Sequence, residues 1–274
     1  MPTGNRDVTW EIAHVGLCVH DTSAAARFYA DIVGLPSAPD AAPHSFSNGF
    51  QSLSLLLPDP GFALERHLLH NPLMGKSATI AVPDLNAVRG KLDSAGISCS
   101  RIDGLFPGLD RQLFCYDPSM NLIGFTERND MQSVTDADGW ILHHVNLQAH
   151  DVRATVGFFT GTAAMVEGTW KAPADMGNFS IDPNELAVLD LGSENRGLHV
   201  IRPDAGFGQR NGFAHNPSIG GHPAFRVPDI HAVMRRLQEA GIVYSDAGTY
   251  AMTGYHQVYV YDPSFNLIEI NQRL

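Results

Sequence analysis

The stretches IAHVGLCVHDTSAAARFY (Ile12–Tyr29) and LHHVNLQAHDVRATVGFF (Leu142–Phe159) of this 274-residue chain match each other along their whole length. In this match His14 lies over His144, at an offset of 130 residues (144 − 14 = 130). A long internal repeat of this kind indicates that a structural unit has been duplicated. The sequence therefore predicts two halves of the same architecture, whose differences are visible without any homologue.

The match continues towards the C-terminal end at a larger offset. The motif HNP at 70–72 recurs at 215–217, and YDPS at 116–119 recurs at 261–264, both at an offset of 145 (215 − 70 = 145). The second half therefore contains 15 extra residues (145 − 130 = 15), inserted within 159–196.

A polar segment separates the two halves. Residues 128–139 (RNDMQSVTDADG) lack apolar periodicity, which is typical of a linker. We therefore predict a first domain over residues 8–133 and a second domain over residues 134–274.

Each half divides again into two similar units. Four times in the chain, a strand-like segment leads in seven residues to an Asp and then to an amphipathic helix pattern: His14 to Asp21, Ser77 to Asp84, His144 to Asp151 and His222 to Asp229. An Asp in this place predicts a helix N-cap, because its carboxylate accepts a hydrogen bond from a free backbone N–H. Strand-like runs bounded by turn residues follow each helix. The sequence thus predicts an α+β fold built from four βαβββ units.

The composition excludes several classes of protein. The formal net charge is −11, and 44% of the residues are apolar, without a cluster of Lys and Arg. A nucleic-acid partner is therefore not expected, and no run approaches the ~20 apolar residues that span a membrane. Three scattered cysteines and a start without a signal-peptide pattern predict a cytoplasmic protein. Small molecules are the expected partners, and exposed sheet edges favour a homo-oligomer.

The two halves differ at five positions in a way that suggests chemistry. In matched order, the pairs are Ser54 and His199, Ser77 and His222, Arg111 and His256, Phe114 and Tyr259, and Gly124 and Glu269. His, Tyr and Glu are the residue types that bind metals and transfer protons. We therefore predict that the second domain carries the metal and catalytic site and that the first domain has none.

Three residues of the second half form a candidate metal site. His144 and His222 occupy equivalent positions of two equivalent strands, so both are expected to point into the same pseudo-symmetric cup. Glu269 lies near the end of the last strand and shares a face with Leu267 and Asn271. Two His and one carboxylate with open positions suit iron(II) oxygen chemistry, and manganese, nickel, cobalt or zinc can use the same ligands.

This pattern resembles the vicinal oxygen chelate superfamily, and within it the two-domain type I extradiol ring-cleavage dioxygenases. The resemblance covers about residues 8–272. Its most specific part is a C-terminal motif of Gly-x-His (254–256), Tyr259, Asp-Pro (262–263) and Glu269, although the spacer after Gly-x-His is shorter than usual. The resemblance implies two domains, each an incomplete mixed β-barrel, or cup, flanked by helices.

The resemblance also implies an activity and residue roles. The cofactor would be Fe(II), with Mn(II) or another divalent metal as alternatives, and the substrates would be a catechol-type aromatic diol and O2. His199 would take a catechol proton and return it later, Tyr259 would hydrogen-bond the ionised substrate oxygen, and His256 would do the same or close the mouth of the site. Two alternatives stay open: a metal-dependent isomerase or lyase of the glyoxalase type, and a non-catalytic ligand-binding protein on the same fold.

The remaining histidines and aromatic residues have simpler interpretations. His70 and His215 recur in the same His-Asn-Pro motif, which favours a turn-stabilising role. His143 precedes His144 and is expected to point to the opposite face of the strand. Trp170 and Phe179, both in the insertion, could line the pocket or pack as ordinary aromatic residues.

Overall fold

The computed structural model describes residues 9–36, 44–129, 139–170, 182–191 and 195–274, which form two mixed β-sheets. The predicted domain boundary between residues 133 and 134, most of the predicted linker, and Phe179 lie outside the described residues. The two sheets nevertheless divide the chain as the internal repeat does, one sheet for each half.

The first sheet has seven strands: β1 (Glu11–Cys18), β2 (Ser45–Ser47), β3 (Ser52–Leu56), β4 (Lys76–Val82), β5 (Ser100–Phe106), β6 (Leu109–Tyr116) and β7 (Leu122–Glu127). Their order across the sheet is β2-β3-β1-β4-β7-β6-β5. The helices of this half are α1 (Thr22–Arg27), which continues as a π-helical segment (Phe28–Val33), α2 (Gly61–Glu65) and α3 (Leu85–Ser94).

The second sheet repeats this arrangement with β8 (Ile141–Gln148), β9 (Leu186–Asp190), β10 (Gly197–Ile201), β11 (His222–Arg226), β12 (Tyr244–Gly248), β13 (Tyr255–Tyr261) and β14 (Leu267–Arg273). Their order is β12-β13-β14-β11-β8-β10-β9. The helices are α4 (Val152–Ala163), α5 (Phe207–Arg210) and α6 (Ile230–Glu239). None of the helices in the described part of the chain is long and apolar enough to cross a membrane.

Strand pairing is the same in both sheets. β1 runs parallel to β3 and antiparallel to β4, and β4 runs parallel to β7; β8, β10, β11 and β14 repeat these relations. The predicted α+β fold of four related units in two cups is confirmed. In the described residues the first and third units contribute three strands each instead of four, and in the third unit a single bridge joins Glu167 to Leu189.

All four predicted capping aspartates cap their helices. The Oδ1 atoms of Asp84, Asp151 and Asp229 each accept a hydrogen bond of 2.9 Å from the backbone N–H three residues further on. Asp21 accepts two bonds of 2.9 Å, from the backbone N–H groups of Ser23 and Ala24. Each cap satisfies an N–H that has no partner within the first helical turn. The caps therefore set where each leading strand stops, which places the residue seven positions earlier equivalently in all four units.

The two halves share one apolar core. Tyr29 of the first half and Trp140 both contact Phe225 of the second, with ring centroids 5.9 Å and 6.0 Å away. Buried aromatic contacts of this kind stabilise through both buried area and ring geometry. A buried ion pair between Glu11 and Arg196 also crosses between the halves.

The first half also supports the start of β11. The ammonium group of Lys76 donates hydrogen bonds to the carbonyl oxygens of Gly220 and Gly221, at 2.5 Å and 2.6 Å. Gly221 has a φ of 64°, and a Cβ there would lie 2.5 Å from the carbonyl oxygen of Asn146. Only glycine fits this turn, which immediately precedes His222.

Candidate metal centre and active site

His144, His222 and Glu269 meet inside the second cup. They lie on β8, β11 and β14, which are neighbours in the sheet. The Nε2 atoms of His144 and His222 are 3.4 Å and 3.6 Å from Oε2 of Glu269, and no side chain of the three is more than 2% exposed. The structure thus brings together the three residues that the sequence predicts as metal ligands.

These three side chains fit a divalent metal ion. Their potential ligand atoms all lie within 4.8 Å of one another, and the two Nε2–Oε2 distances of 3.4 Å and 3.6 Å are short enough for one central ion with bonds of about 2.0–2.2 Å. Neither ring nitrogen of His222 has a hydrogen-bond partner among the described residues, although both are buried. A buried polar atom without a partner is costly, and a metal ion at Nε2 would remove that cost.

The electrostatics of the site favour the protonation states that bind metal. Burial by itself raises the pKa of the Glu269 carboxyl, but His144 and His222 together outweigh it and hold this pKa well below its ordinary range. Burial lowers the pKa of His222, although Glu269 opposes this change. Metal ligation requires an ionised carboxylate and an imidazole nitrogen without a proton, and the shifts of Glu269 and His222 both favour these forms.

His199 lies beside the three candidate ligands, on β10. Its ring stacks on that of His144, with centroids 3.8 Å apart. Its Nε2 is 2.5 Å from the carbonyl oxygen of Asn195, and because a carbonyl only accepts, Nε2 carries the proton and Nδ1 has the lone pair. Burial, and then the neighbouring His144, hold the pKa of His199 well below its ordinary value. His199 is therefore a neutral imidazole beside the candidate metal centre.

Tyr259 lies opposite Glu269 in the antiparallel pairing of β13 with β14. Its ring centroid is 5.6 Å from that of His222. Burial, and then the Glu269 carboxylate, raise the pKa of the Tyr259 phenol well above its ordinary value, so the phenol keeps its proton. Polar neighbours orient this pair: Gln257 donates to the Tyr259 oxygen at 3.2 Å, and Asn271 donates to Oε1 of Glu269 at 2.9 Å.

A cavity of about 260 Å³ contains the site. Its lining includes all five residues described above: His144, His199, His222, Tyr259 and Glu269. An aromatic wall of Trp170, Phe207, Phe213 and Tyr250 bounds it, and the Trp170 ring is 4.8 Å from His199. Charged residues of both signs also line it, Glu185 and Asp204 with Arg202 and Arg210. The cavity thus combines a polar centre with aromatic walls, as pockets for small organic molecules commonly do.

The structure places His256 away from this cavity. His256 is three residues from Tyr259 on β13, and an odd separation puts two strand residues on opposite faces. Its Nε2 lies 2.7 Å from Oδ1 of Asp246, and its ring is 5.3 Å from that of His231 on α6. The structure therefore does not bring His256 together with the other five predicted site residues.

Two residues of the site were missed at the sequence level. Asn146 lines the cavity, pairs with His222 and His199 across the sheet, and its buried Oδ1 has no hydrogen-bond partner in the described chain. Its counterpart in the first half is Gly16 (146 − 130 = 16), so the comparison of halves carried the signal. The comparison of halves gives no signal for Gln257, the second residue, because Gln112 stands at the matching position (257 − 145 = 112).

The prediction that His143 points away from His144 is wrong. The pairing of β8 with β11 shifts between Ala224, opposite His144, and Phe225, opposite Leu142. His143 is left in a β-bulge, where the strict alternation of side chains fails. Its Nδ1 lies 2.9 Å from Nδ1 of His144.

The histidines of the repeated His-Asn-Pro motif lie in equivalent places outside the site. Nδ1 of His70 is 2.9 Å from the Ser100 hydroxyl, and Nδ1 of His215 is 2.8 Å from the Ser245 hydroxyl. In both halves the serine also accepts the backbone N–H of the histidine. These bonds tie a turn to a strand at the edge of each sheet, as expected for a turn-stabilising role.

No protein-family model and no curated protein sequence matches this chain. Among solved structures, it is similar to the 2,3-dioxygenase LapB from Pseudomonas sp. KL28, with a TM-score of 0.64 and 16% identity over 96% of this chain and 91% of the other. It is also similar to homoprotocatechuate 2,3-dioxygenase from Arthrobacter globiformis, with a TM-score of 0.65 and 13% identity over 97% and 80%. A Mn(II)-bound glyoxalase from Novosphingobium aromaticivorans has a TM-score of 0.59 and 16% identity over 96% and 82%.

At this identity the similarity establishes the fold. The chain has the same two-domain fold as the two 2,3-dioxygenases and the glyoxalase. The resemblance that the sequence suggested is confirmed at this level. Because one fold hosts several chemistries, the activity has to be argued from the site.

Proposed function

We propose that this protein is a metal-dependent extradiol dioxygenase that cleaves the ring of a catechol-type aromatic diol with O2. The observation that carries the proposal is the convergence of His144, His222 and Glu269 with His199 and Tyr259 in one buried cavity. The first three supply a metal site with open positions, and the other two supply a base and a hydrogen-bond donor. Fe(II) is the proposed metal, with Mn(II) as the second choice.

Each polar residue has a task in this proposal. A divalent ion held by the three ligands would supply a Lewis acid that holds both substrates. His199, with its lone pair on Nδ1, takes a proton from a catechol hydroxyl and later returns it, as a general base and then a general acid. Tyr259 donates its O–H to the substrate oxygen that becomes negatively charged.

The aromatic wall supports an aromatic substrate. Phe207, Phe213 and Tyr250 contact one another, with ring centroids 6.0 Å to 6.3 Å apart, and Phe213 contacts Tyr259 at 6.2 Å. Rings at such distances offer edges and faces against which a substrate ring can stack. A substrate ring held there would displace water from the polar centre of the cavity, which would strengthen the electrostatic interactions there.

A metal-dependent isomerase or lyase of the glyoxalase type is the second candidate. The similarity to a Mn(II)-bound glyoxalase favours it, and a His/His/Glu centre beside a base could also move a proton between carbon atoms. Such an enzyme consumes no O2, so gas uptake separates the two candidates.

The test is O2 uptake by protein reconstituted anaerobically with Fe(II) and supplied with a panel of catechols. We expect one O2 consumed for each catechol, with a visible absorption band from the ring-opened product. The matched control is His199→Gln protein with the same metal content. O2 uptake by the wild type but not by the variant supports the proposal. If metal-loaded wild type consumes no O2 but isomerises a hemithioacetal, the second candidate replaces the first.

We retain two further predictions with this function. The edge strands β5 and β12, each of which pairs with one strand only in the described residues, favour a homo-oligomer, which light scattering of the purified protein will test. A cytoplasmic location fits a chain with free cysteines, and fractionation of the source cells will test it.

A further inference from the structure

The bulge in β8 brings a second histidine to the metal centre. In the first half, the matching bulge in β1 leaves Ala13 unpaired, and Ala13 is buried in the interior of the first cup. In the second half the bulged residue is His143, whose side chain is fully buried and whose ring packs 4.7 Å from that of Tyr255. A β-bulge commonly redirects one side chain beside a functional site.

The two ring nitrogens of His144 face different partners. Nε2 lies 3.4 Å from Oε2 of Glu269, on the side of the other ligands, whereas Nδ1 lies 2.9 Å from Nδ1 of His143. An imidazole nitrogen that binds a metal carries no proton. If Nε2 of His144 binds metal, the proton of the neutral ring must be on Nδ1, and Nδ1 of His143 is the atom placed to accept it.

We propose that His143 is a positioning residue that accepts the Nδ1 proton of His144 and thereby fixes the tautomer and ring orientation in which His144 binds metal through Nε2. This inference rests on the metal site of the proposed function but not on the reaction catalysed there. Metal-binding histidines usually donate their other N–H to a carboxylate, a carbonyl or water. Here an imidazole takes that place.

The surroundings of His143 hold its ring in place. Tyr255, on whose ring it packs, accepts a hydrogen bond of 3.3 Å from the guanidinium of Arg226. The matching residues of the first half are Ala81 for Arg226 (226 − 145 = 81) and Asp110 for Tyr255 (255 − 145 = 110). The arrangement that holds the His143 ring is therefore present only in the half that has the three metal ligands.

The test compares His143→Gln with His143→Leu. A glutamine oxygen can accept the N–H of His144, whereas a leucine of similar size cannot accept any hydrogen bond. We expect the leucine variant to bind Mn(II) about 10–100-fold more weakly than the wild type and the glutamine variant to recover most of that loss. Mn(II) binding is measured by calorimetry on metal-free protein, and the electron paramagnetic resonance spectrum of bound Mn(II) reports the ligand geometry.

Thermal unfolding of the metal-free proteins separates positioning from folding. His70→Leu, which removes a buried histidine far from the site, is the control and should leave Mn(II) affinity unchanged. If His143→Leu binds Mn(II) as tightly as the wild type, or if both variants weaken binding equally, the inference is overturned while the metal site stands. If the wild type binds no Mn(II), both the inference and the proposed metal site are wrong. If it binds Mn(II) but no dioxygenase activity is found, only the proposed reaction is wrong.

Discussion

The two cups have the same strand order, yet a histidine at the same position behaves differently in each. His14 of the first cup stacks on Phe106, with ring centroids 4.0 Å apart, and neither of its ring nitrogens has a hydrogen-bond partner in the described residues. His144 of the second cup lies between His199, Glu269 and His143. One histidine is a core residue, and the other is the centre of a polar network.

The interior of the first cup is filled where the second is open. A Cβ on Gly124, which matches Glu269, would lie 2.6 Å from Oγ1 of Thr79 and 2.9 Å from the ring of Phe114. Phe114 itself stands where the second half has Tyr259. A carboxylate therefore has no room in the first cup. Duplication preserved the backbone in both halves, while side-chain volume and polarity gave only one of them a site.

The largest expected effect is the loss of metal binding in the second cup on the substitution Glu269→Gln. The amide is neutral and replaces the only anionic ligand, so metal affinity should fall by more than the 10–100-fold typical of residues that merely support a ligand. Metal content after reconstitution, measured by atomic emission, should drop to background, and ring cleavage should be lost. His14→Gln in the first cup should keep the full metal content, and a fully loaded Glu269→Gln protein would refute the ligand assignment.

Tyr259→Phe converts one residue of the second cup into its counterpart in the first. The variant loses a single hydrogen-bond donor to the substrate oxygen, so kcat should fall by about 100-fold, while metal content stays the same. Both quantities are measured on one reconstituted sample. The reciprocal change, Phe114→Tyr, should leave kcat unchanged. An unaltered kcat in Tyr259→Phe would mean that the phenol has no part in the reaction.

Transplanting ligands into the first cup should fail. The double variant Ser77→His with Gly124→Glu should bind no second metal ion. Its unfolding free energy should decrease by about 1–3 kcal/mol, because the glutamate at position 124 is forced against Thr79 and Phe114. Urea unfolding of metal-free protein measures the loss. Gly90→Glu, on helix α3 where nothing lies within 4 Å of the added Cβ, is the control. A second bound metal would contradict the account of the filled cup.

The last expected effect is on the pH dependence of stability. Burial lowers the pKa of His14 from 6.5 to about 3. Between these values the unfolded chain binds a proton that the folded protein does not, so the unfolding free energy is undiminished above pH 6.5 and decreases as the pH falls. The slope due to this group is about 1.4 kcal/mol per pH unit.

His14→Leu should remove that slope. Urea unfolding of the metal-free wild type and variant between about pH 4 and pH 6 measures the difference between the two slopes. Titration of residues in the second cup contributes equally to both proteins and cancels in this difference. Identical slopes in the two proteins would show that His14 is not held neutral by burial.

Much of the site could be predicted from the sequence because the chain contains its own reference. Each half shows what the fold alone requires, so the appearance of His199, His222, Tyr259 and Glu269 at positions occupied by Ser, Phe and Gly in the first half signals chemistry. Periodicity and N-caps then assign these residues to strands, and alternation predicts which of them share a face.

His256 shows where motif matching and strand geometry disagree. The Gly-x-His motif associates it with the site by residue type, whereas its odd separation from Tyr259 on β13 puts it on the other face, against α6. Alternation along the strand is the stronger physical constraint, because it follows from the extended backbone itself.

The sequence by itself determined the duplication, the order of helices and strands, and the residue types from which a metal centre can be built, because repeats, caps and periodicity are local properties of the chain. Only the tertiary structure decided that His143 turns towards His144, because the bulge arises from the pairing of β8 with β11. The closed interior of the first cup was likewise decided by tertiary packing, since the space at Gly124 on β7 is filled by the side chains of Thr79 on β4 and Phe114 on β6.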